Sequence, residues 1–144
     1  MNRTDLYLLS TPALAEQVNF CCRLSEKAFH DFKRIHIQTS QSIQNEALDT
    51  ALWTFKPESF LPHDIGQTAK TLTPIVIDNH DLQDELFSSS NLLILLSTTL
   101  PDNAKRFDRM CILVPNTEEE IQQARVLYKK IKQQNIEVHI HDMR

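Results

Sequence analysis

The chain has 144 residues, 41% of them apolar and 24% charged, with a net charge of −4. That length suits one domain and buries about 68–70% of its unfolded surface, enough for a core without disulfide or metal staples. The negative balance argues against non-specific binding of nucleic acid by the molecule as a whole. Its single glycine, Gly66, excludes the dinucleotide fingerprint, the P-loop and the nucleophile elbow, each of which needs several.

Asp5 to Leu9 is a short apolar run and reads as a first strand. Ser10-Thr11-Pro12 supplies a cap and a proline suited to a first helical turn. Leu14, Val18, Cys21, Cys22 and Ala28 then recur at helical spacing to about residue 29. Lys33 to Gln38 alternates as a second strand. Ser40 or Ser42 caps a helix whose apolar stripe is Ile43, Ala47, Leu48, Ala51 and Leu52. That stripe runs into LWTFKPESFLPH, where Pro57 and Pro62 rule out regular helix or central strand and hold Trp53, Phe55 and Phe60 in an irregular segment.

Residues 64–73 are polar and hold the glycine, and Pro74 to Ile77 is a third strand. Residues 78–90 read as a connection with one helical turn. Leu92 to Leu96 and Met110 to Val114 are continuous apolar runs, as in strands buried on both faces, with a polar loop over 97–106 between them. Thr117 followed by Glu120 matches a capping box and opens a helix to about Gln133. Ile136 to Ile140 is a final alternating strand. Strands alternating with helices predict a single three-layer α/β/α domain over residues 1–144, Rossmann-like, with a mostly parallel sheet and none of the dinucleotide-binding glycines.

Cys21, Cys22 and Cys111 have no C-x-x-C spacing and read as buried, reduced thiols of a cytoplasmic protein. No apolar run approaches the roughly 20 residues of a membrane span, and the N-terminal run is too short for a signal peptide. His139 and His141 share one strand face, but no set of four ligands has metal-site spacing, so solvated histidines are the simpler reading. His80-Asp81 and Asp84-Glu85 sit in a polar connection rather than a shaped pocket, and Ser88 to Ser90 lack an elbow. No catalytic residue, metal or cofactor is expected.

Two regions carry surface chemistry. The last helix has Glu118, Glu119 and Glu120 at its start and Arg125, Lys129, Lys130 and Lys132 towards its end, a pattern that helix-dipole complementation explains in large part. Its apolar stripe is Ile121, Ala124, Tyr128 and Ile131, with Leu127 beside it. Arg125 and Lys129 share a face, and a basic rim beside an apolar notch suits an acidic peptide ending in a hydrophobic side chain and a carboxylate. The aromatic segment is the second region: its rings either turn inward to close the core or form a docking patch.

The run LDTALWTFKPESFLPH, together with Asp5 to Leu9, Pro74 to Ile77, Asn91 to Leu96, Val114-Pro115, Ala124-Arg125 and Tyr128 to Lys130, resembles the chi subunit of bacterial DNA polymerase III over nearly the whole chain. The resemblance implies a non-catalytic adaptor. It assigns contacts with the psi subunit of the clamp loader, for which a helicase can compete, to Trp53, Phe55, Phe60, Leu61, Pro62 and His63. It assigns the acidic, phenylalanine-terminated tail of single-stranded DNA-binding protein to Val114, Arg125, Tyr128 and Lys129, with Lys130 and Lys132 extending the rim. DNA would then be reached only indirectly, without a membrane. One departure is that Asp31-Phe32, rather than a glycine, precedes the Lys33-Arg34 pair. The alternatives are a small α/β nucleotide-processing enzyme with its site at the carboxyl edge of the sheet, or direct single-stranded DNA binding through the aromatics, which the net negative charge disfavours.

Overall fold

In the computed structural model, which describes residues 3–54 and 61–144 (the backbone alone at 67), the elements run β1 (Arg3–Leu8), α1 (Leu14–Ala28), β2 (Arg34–Gln38), α2 (Ser42–Thr54), β3 (His63–Ile65), β4 (Ile75–Asp78), β5 (Asn91–Leu95), β6 (Arg109–Val114), α3 (Glu118–Gln133) and β7 (Glu137–Asp142). Among the described residues the strands form one sheet in the order β3-β4-β2-β5-β6-β1-β7. Every neighbouring pair is parallel, as the helical and loop crossovers require. The architecture is α/β with helices on both faces of the sheet.

The two faces have separate cores. On the face covered by α1 and α2, Val18, Cys21, Leu48 and Leu52 pack on Ile35, Ile37, Ile75, Ile77 and Ile94. On the other, Ala124, Leu127 and Ile131 of α3 pack with Leu6, Ile112 and Val114. Beyond the reach of α3, that second face is closed by the connections, through Leu82, Leu86 and Phe107. Strands β5 and β6 have partners on both sides and both faces, which is why they read as unbroken apolar runs.

Local signals set most boundaries. Thr117 Oγ1 accepts from Glu120 N at 3.1 Å and starts α3 as predicted. Asn135, at φ 59, takes the left-handed conformation that turns the chain from α3 into β7. At α1 the expectation differs from the structure. The helix begins at Leu14 behind Ala13, which makes no side-chain cap. Instead Glu16 reaches back to the Thr11 N–H at 2.7 Å and to the Ser10 and Thr11 hydroxyls, so the carboxylate organises the turn. In α2 the Gln44 side chain caps, accepting from Ser40 N at 2.8 Å and Gln41 N at 3.1 Å. The turn after α1 needs no glycine: Asp31 and Phe32 N–H groups donate to the Ala28 carbonyl, and no positive φ occurs there.

Two features depart from the sequence pattern. Strand β3 straddles the end of the aromatic segment, at His63, and the start of the stretch 64–73 that reads as a polar connection; it is three residues long and, among the described residues, pairs with β4. Strand β2 alternates apolar with polar, yet Arg34, His36 and Gln38 are buried. Connections rather than solvent meet them. Arg34 donates to the Lys70 and Thr71 carbonyls, His36 stacks on Phe107 and lies 3.3 Å from the His80 carbonyl, and Gln38 donates to Asp81 at 3.0 Å. Burial pushes the His36 imidazole down to about 4. Gly66 has a packing reason: a Cβ there would collide with the Asp78 carboxylate, which lies against it.

Candidate functional site

A groove runs beside α3. The helix packs its buried stripe with residues of β1 and β6 and approaches the edge strand β7, which follows it in the chain. Between helix and edge lies a cavity of about 540 Å³ whose apolar surface comes from Leu6, Leu8, Ile121, Tyr128 and Ile140. Ile140 is 54% exposed, an unusual position for a large aliphatic side chain on a strand. Arg125, Lys129 and Arg144 line the same cavity, and no Asp or Glu side chain does. Lys132 Nζ stands 5.8 Å from the Tyr128 ring centroid. An extended segment carrying a bulky apolar group and carboxylates would find both its partners here.

The opposite face of β1 and β7 is filled with charge. Asp5 has no exposed side-chain surface and receives Arg3 at 2.8 Å, Arg109 at 2.6 Å and His141 Nε2 at 2.9 Å. Burial alone would raise the Asp5 carboxyl, but hydrogen bonds from Arg3, His141 and Arg109 outweigh it and hold the group at about 2. His141 also stacks on Tyr7, ring centroids 4.5 Å apart. His139 Nε2 lies 2.8 Å from the Glu137 carboxylate without a hydrogen bond. Of the two strand-face histidines, only His141 is bonded to a carboxylate among the described residues.

At the far end of α2, Trp53 is 58% exposed, with its ring edge-on to His63 at 5.3 Å. His63 is fixed from both sides, Nδ1 2.7 Å from the Leu61 carbonyl and Nε2 3.0 Å from Asp49. Its side chain has no exposed surface, and Leu61 is in the core. Of this set, Trp53 and the half-buried Pro62 are at the surface. Phe55 and Phe60 lie outside the described residues.

A cavity of about 730 Å³ opens at the carboxyl end of β3 and β4, beside the start of α2, at the edge of the sheet where α/β enzymes keep their sites. Asp78, Asp81 and Glu46 line it, which is a poor setting for a phosphate. Two of the acid/base candidates have structural work: Asp81 accepts from Gln38 and from Asp102 N at 3.2 Å, and Asp84 pairs with Arg106 at 2.6 Å. The three cysteines are free and buried, and desolvation pushes Cys22 up to about 11 and Cys111 up to about 12.

Residues 1–139 match the family model described as "DNA polymerase III chi subunit, HolC". The chain belongs to the DNA polymerase III chi family. The DNA polymerase III subunit chi of Pseudomonas aeruginosa is 26% identical over 141 residues, spanning 98% of this chain and 96% of its own. The corresponding proteins of Haemophilus influenzae, 27% identical over 131 residues, and Escherichia coli, 28% over 134, each span 90% of both chains.

The residues that the chi resemblance groups together are only partly neighbours. Arg125, Tyr128 and Lys129 share the groove. Val114 is buried beneath α3, paired with Leu8, so it supports the groove from below rather than lining it. Lys130 faces the other side of the helix, in a second cavity of about 420 Å³ with Thr98, Leu100 and Gln123. Leu127, set beside the expected stripe, is the inward residue, and Tyr128 is half-buried. Sequence reasoning did not find Ile140, Arg144 or the Asp5 cluster. Ile140 carried a signal in the alternation of the last strand; the others depend on contacts between distant segments.

Proposed function

We propose that this chi-family chain is a non-catalytic adaptor in the DNA polymerase III machinery of DNA replication, working in the cytoplasm. In this reading the Trp53 end of α2 holds the psi subunit, or a helicase competing with it. The groove beside α3 holds the acidic tail of single-stranded DNA-binding protein. Joining the two tethers the clamp loader to coated lagging-strand template and raises effective concentration without any chemistry. The observation that supports it most is the coincidence of an apolar floor with Arg125, Lys129 and Arg144 in one cavity whose lining includes no Asp or Glu side chain.

Calorimetry with a peptide ending in an acidic run and phenylalanine tests the tail site. Arg125→Ala and Lys129→Ala should each weaken binding about tenfold, a loss typical of one charge-assisted hydrogen bond, while psi binding is retained. Trp53→Ala should lose psi and keep the peptide. Equal peptide affinity in all three variants would remove the groove from the reading. The rival, a nucleotide-processing enzyme using the carboxyl-edge cavity, predicts thermal stabilisation by ATP or NAD; the acidic lining argues for none.

A further inference from the structure

The three cations lining the groove are not in the same state. Among the described residues, Arg125 and Lys129 make no ion pair, whereas Arg144 is gripped by a carboxylate of its own strand end. Its Nε lies 3.0 Å from Asp142 Oδ1, and its terminal Nη2 lies 2.9 Å from Asp142 Oδ2. This two-point fork is the geometry in which arginine binds any carboxylate, a peptide's included. Asp142 stands two residues after Ile140, hence on the groove side of β7, and pairs in register with Leu8, another groove residue.

We propose that Asp142 is a built-in competitor for the groove: it occupies Arg144 in the free chain, and a carboxylate of the incoming acidic peptide displaces it. The inference rests on the tail-binding reading above and names a further determinant of that site. The exchange is easy because the pair is at the surface, with 40% of the Arg144 and 51% of the Asp142 side chain exposed, so water and salt already weaken it. Both charges stay hydrated while the partners swap. Arg144 holds the Asp142 carboxyl down to about 2, so the competitor is ionised throughout the neutral range. Arg144 thereby discriminates: a neutral apolar peptide end, which could fill the floor against Ile140, cannot displace a carboxylate from the fork.

The test uses the full chain and an acidic, phenylalanine-terminated synthetic peptide in calorimetry at low salt. Asp142→Asn keeps the shape and an acceptor for the Arg144 N–H but removes the competing charge. It should tighten binding about two- to five-fold, the range open to an exposed pair. Glu137→Gln makes the same charge change at the other end of β7 and should leave the affinity alone. Arg144→Gln should weaken binding and abolish the effect of Asp142→Asn in the double variant. If Asp142→Asn weakens binding, matches Glu137→Gln, or still tightens it without Arg144, the competitor role is wrong even though the groove binds the peptide. If the folded wild type and Asp142→Asn both fail to bind, the tail-site reading falls with it.

Discussion

Strands β1 and β7 present two opposite kinds of surface from alternate residues of the same sequence. Leu6, Leu8 and Ile140 point to the α3 side and leave an open, oily groove whose cations stand around it. Arg3, Asp5, Tyr7 and His141 point to the other side and saturate one another. The period of two that defines a strand thus separates a surface able to receive a partner from one that has satisfied itself. A buried carboxylate with three cationic or histidine donors contributes to cohesion. A cation beside an unfilled apolar floor contributes mainly when something else arrives.

The comparison breaks most visibly at Asp5. Asp5→Ala should cost about 3 kcal/mol in chemical denaturation, since it leaves two guanidinium groups without their buried anion. Peptide affinity should be nearly unchanged where the variant is still folded. A loss of binding without a loss of stability would invert the assignment of the two faces.

Acid should act on the buried groups first, on His36 before Asp5. His36 has its proton affinity lowered to about 4 against an unfolded 6.5, so the unfolded chain binds the extra proton between those values and stability falls as pH drops through that window. The slope amounts to about 2 kcal/mol between roughly pH 6.5 and 5. Asp5, held at about 2, adds a further loss between 3.8 and 2, where the unfolded chain takes up a proton that the native carboxylate does not. His36→Leu should flatten the upper part of the denaturation profile and leave the lower part; an unchanged upper slope would place the titration elsewhere.

The open face should answer to salt instead. Raising sodium chloride from 50 to 500 mM should weaken the acidic peptide several-fold, because the contributing charges are exposed, with a denaturation midpoint that hardly moves. The finest contrast is between adjacent residues. Ile140→Ala should lower peptide affinity a few-fold and change stability by about 0.5 kcal/mol or less, as an exposed site does. His141→Ala should do the reverse.

How far the sequence foretold these faces depends on the range of the interactions. Leu92 to Leu96 and Met110 to Val114 announced themselves because burial on both sides demands continuous apolar residues, and Thr117 with Glu120 announced α3 because capping is local. Arg125, Tyr128 and Lys129 could be grouped because helical spacing alone puts them on one side. His63-Asp64-Ile65 gave no strand signal, being short and mostly polar, and exists because β4 offers an edge. The Asp5 cluster joins residues 104 and 136 positions apart, beyond any local pattern. Arg34, His36 and Gln38 look like a solvent face because composition does not reveal which loops will fold over a strand.

The placement of β1 has a consequence for how the molecule comes into being. Strand β1 lies between the two described strands farthest from it in sequence, β6 and β7. Its hydrogen-bonding edges stay unfilled until residues past 109 and then past 137 have been synthesised. Loop closure over such separations is entropically expensive and slow. Strand β1 therefore waits as an unclaimed sticky edge through most of the synthesis that follows it, and the groove beside α3, which needs β1, α3 and β7 together, is among the last features to come into existence.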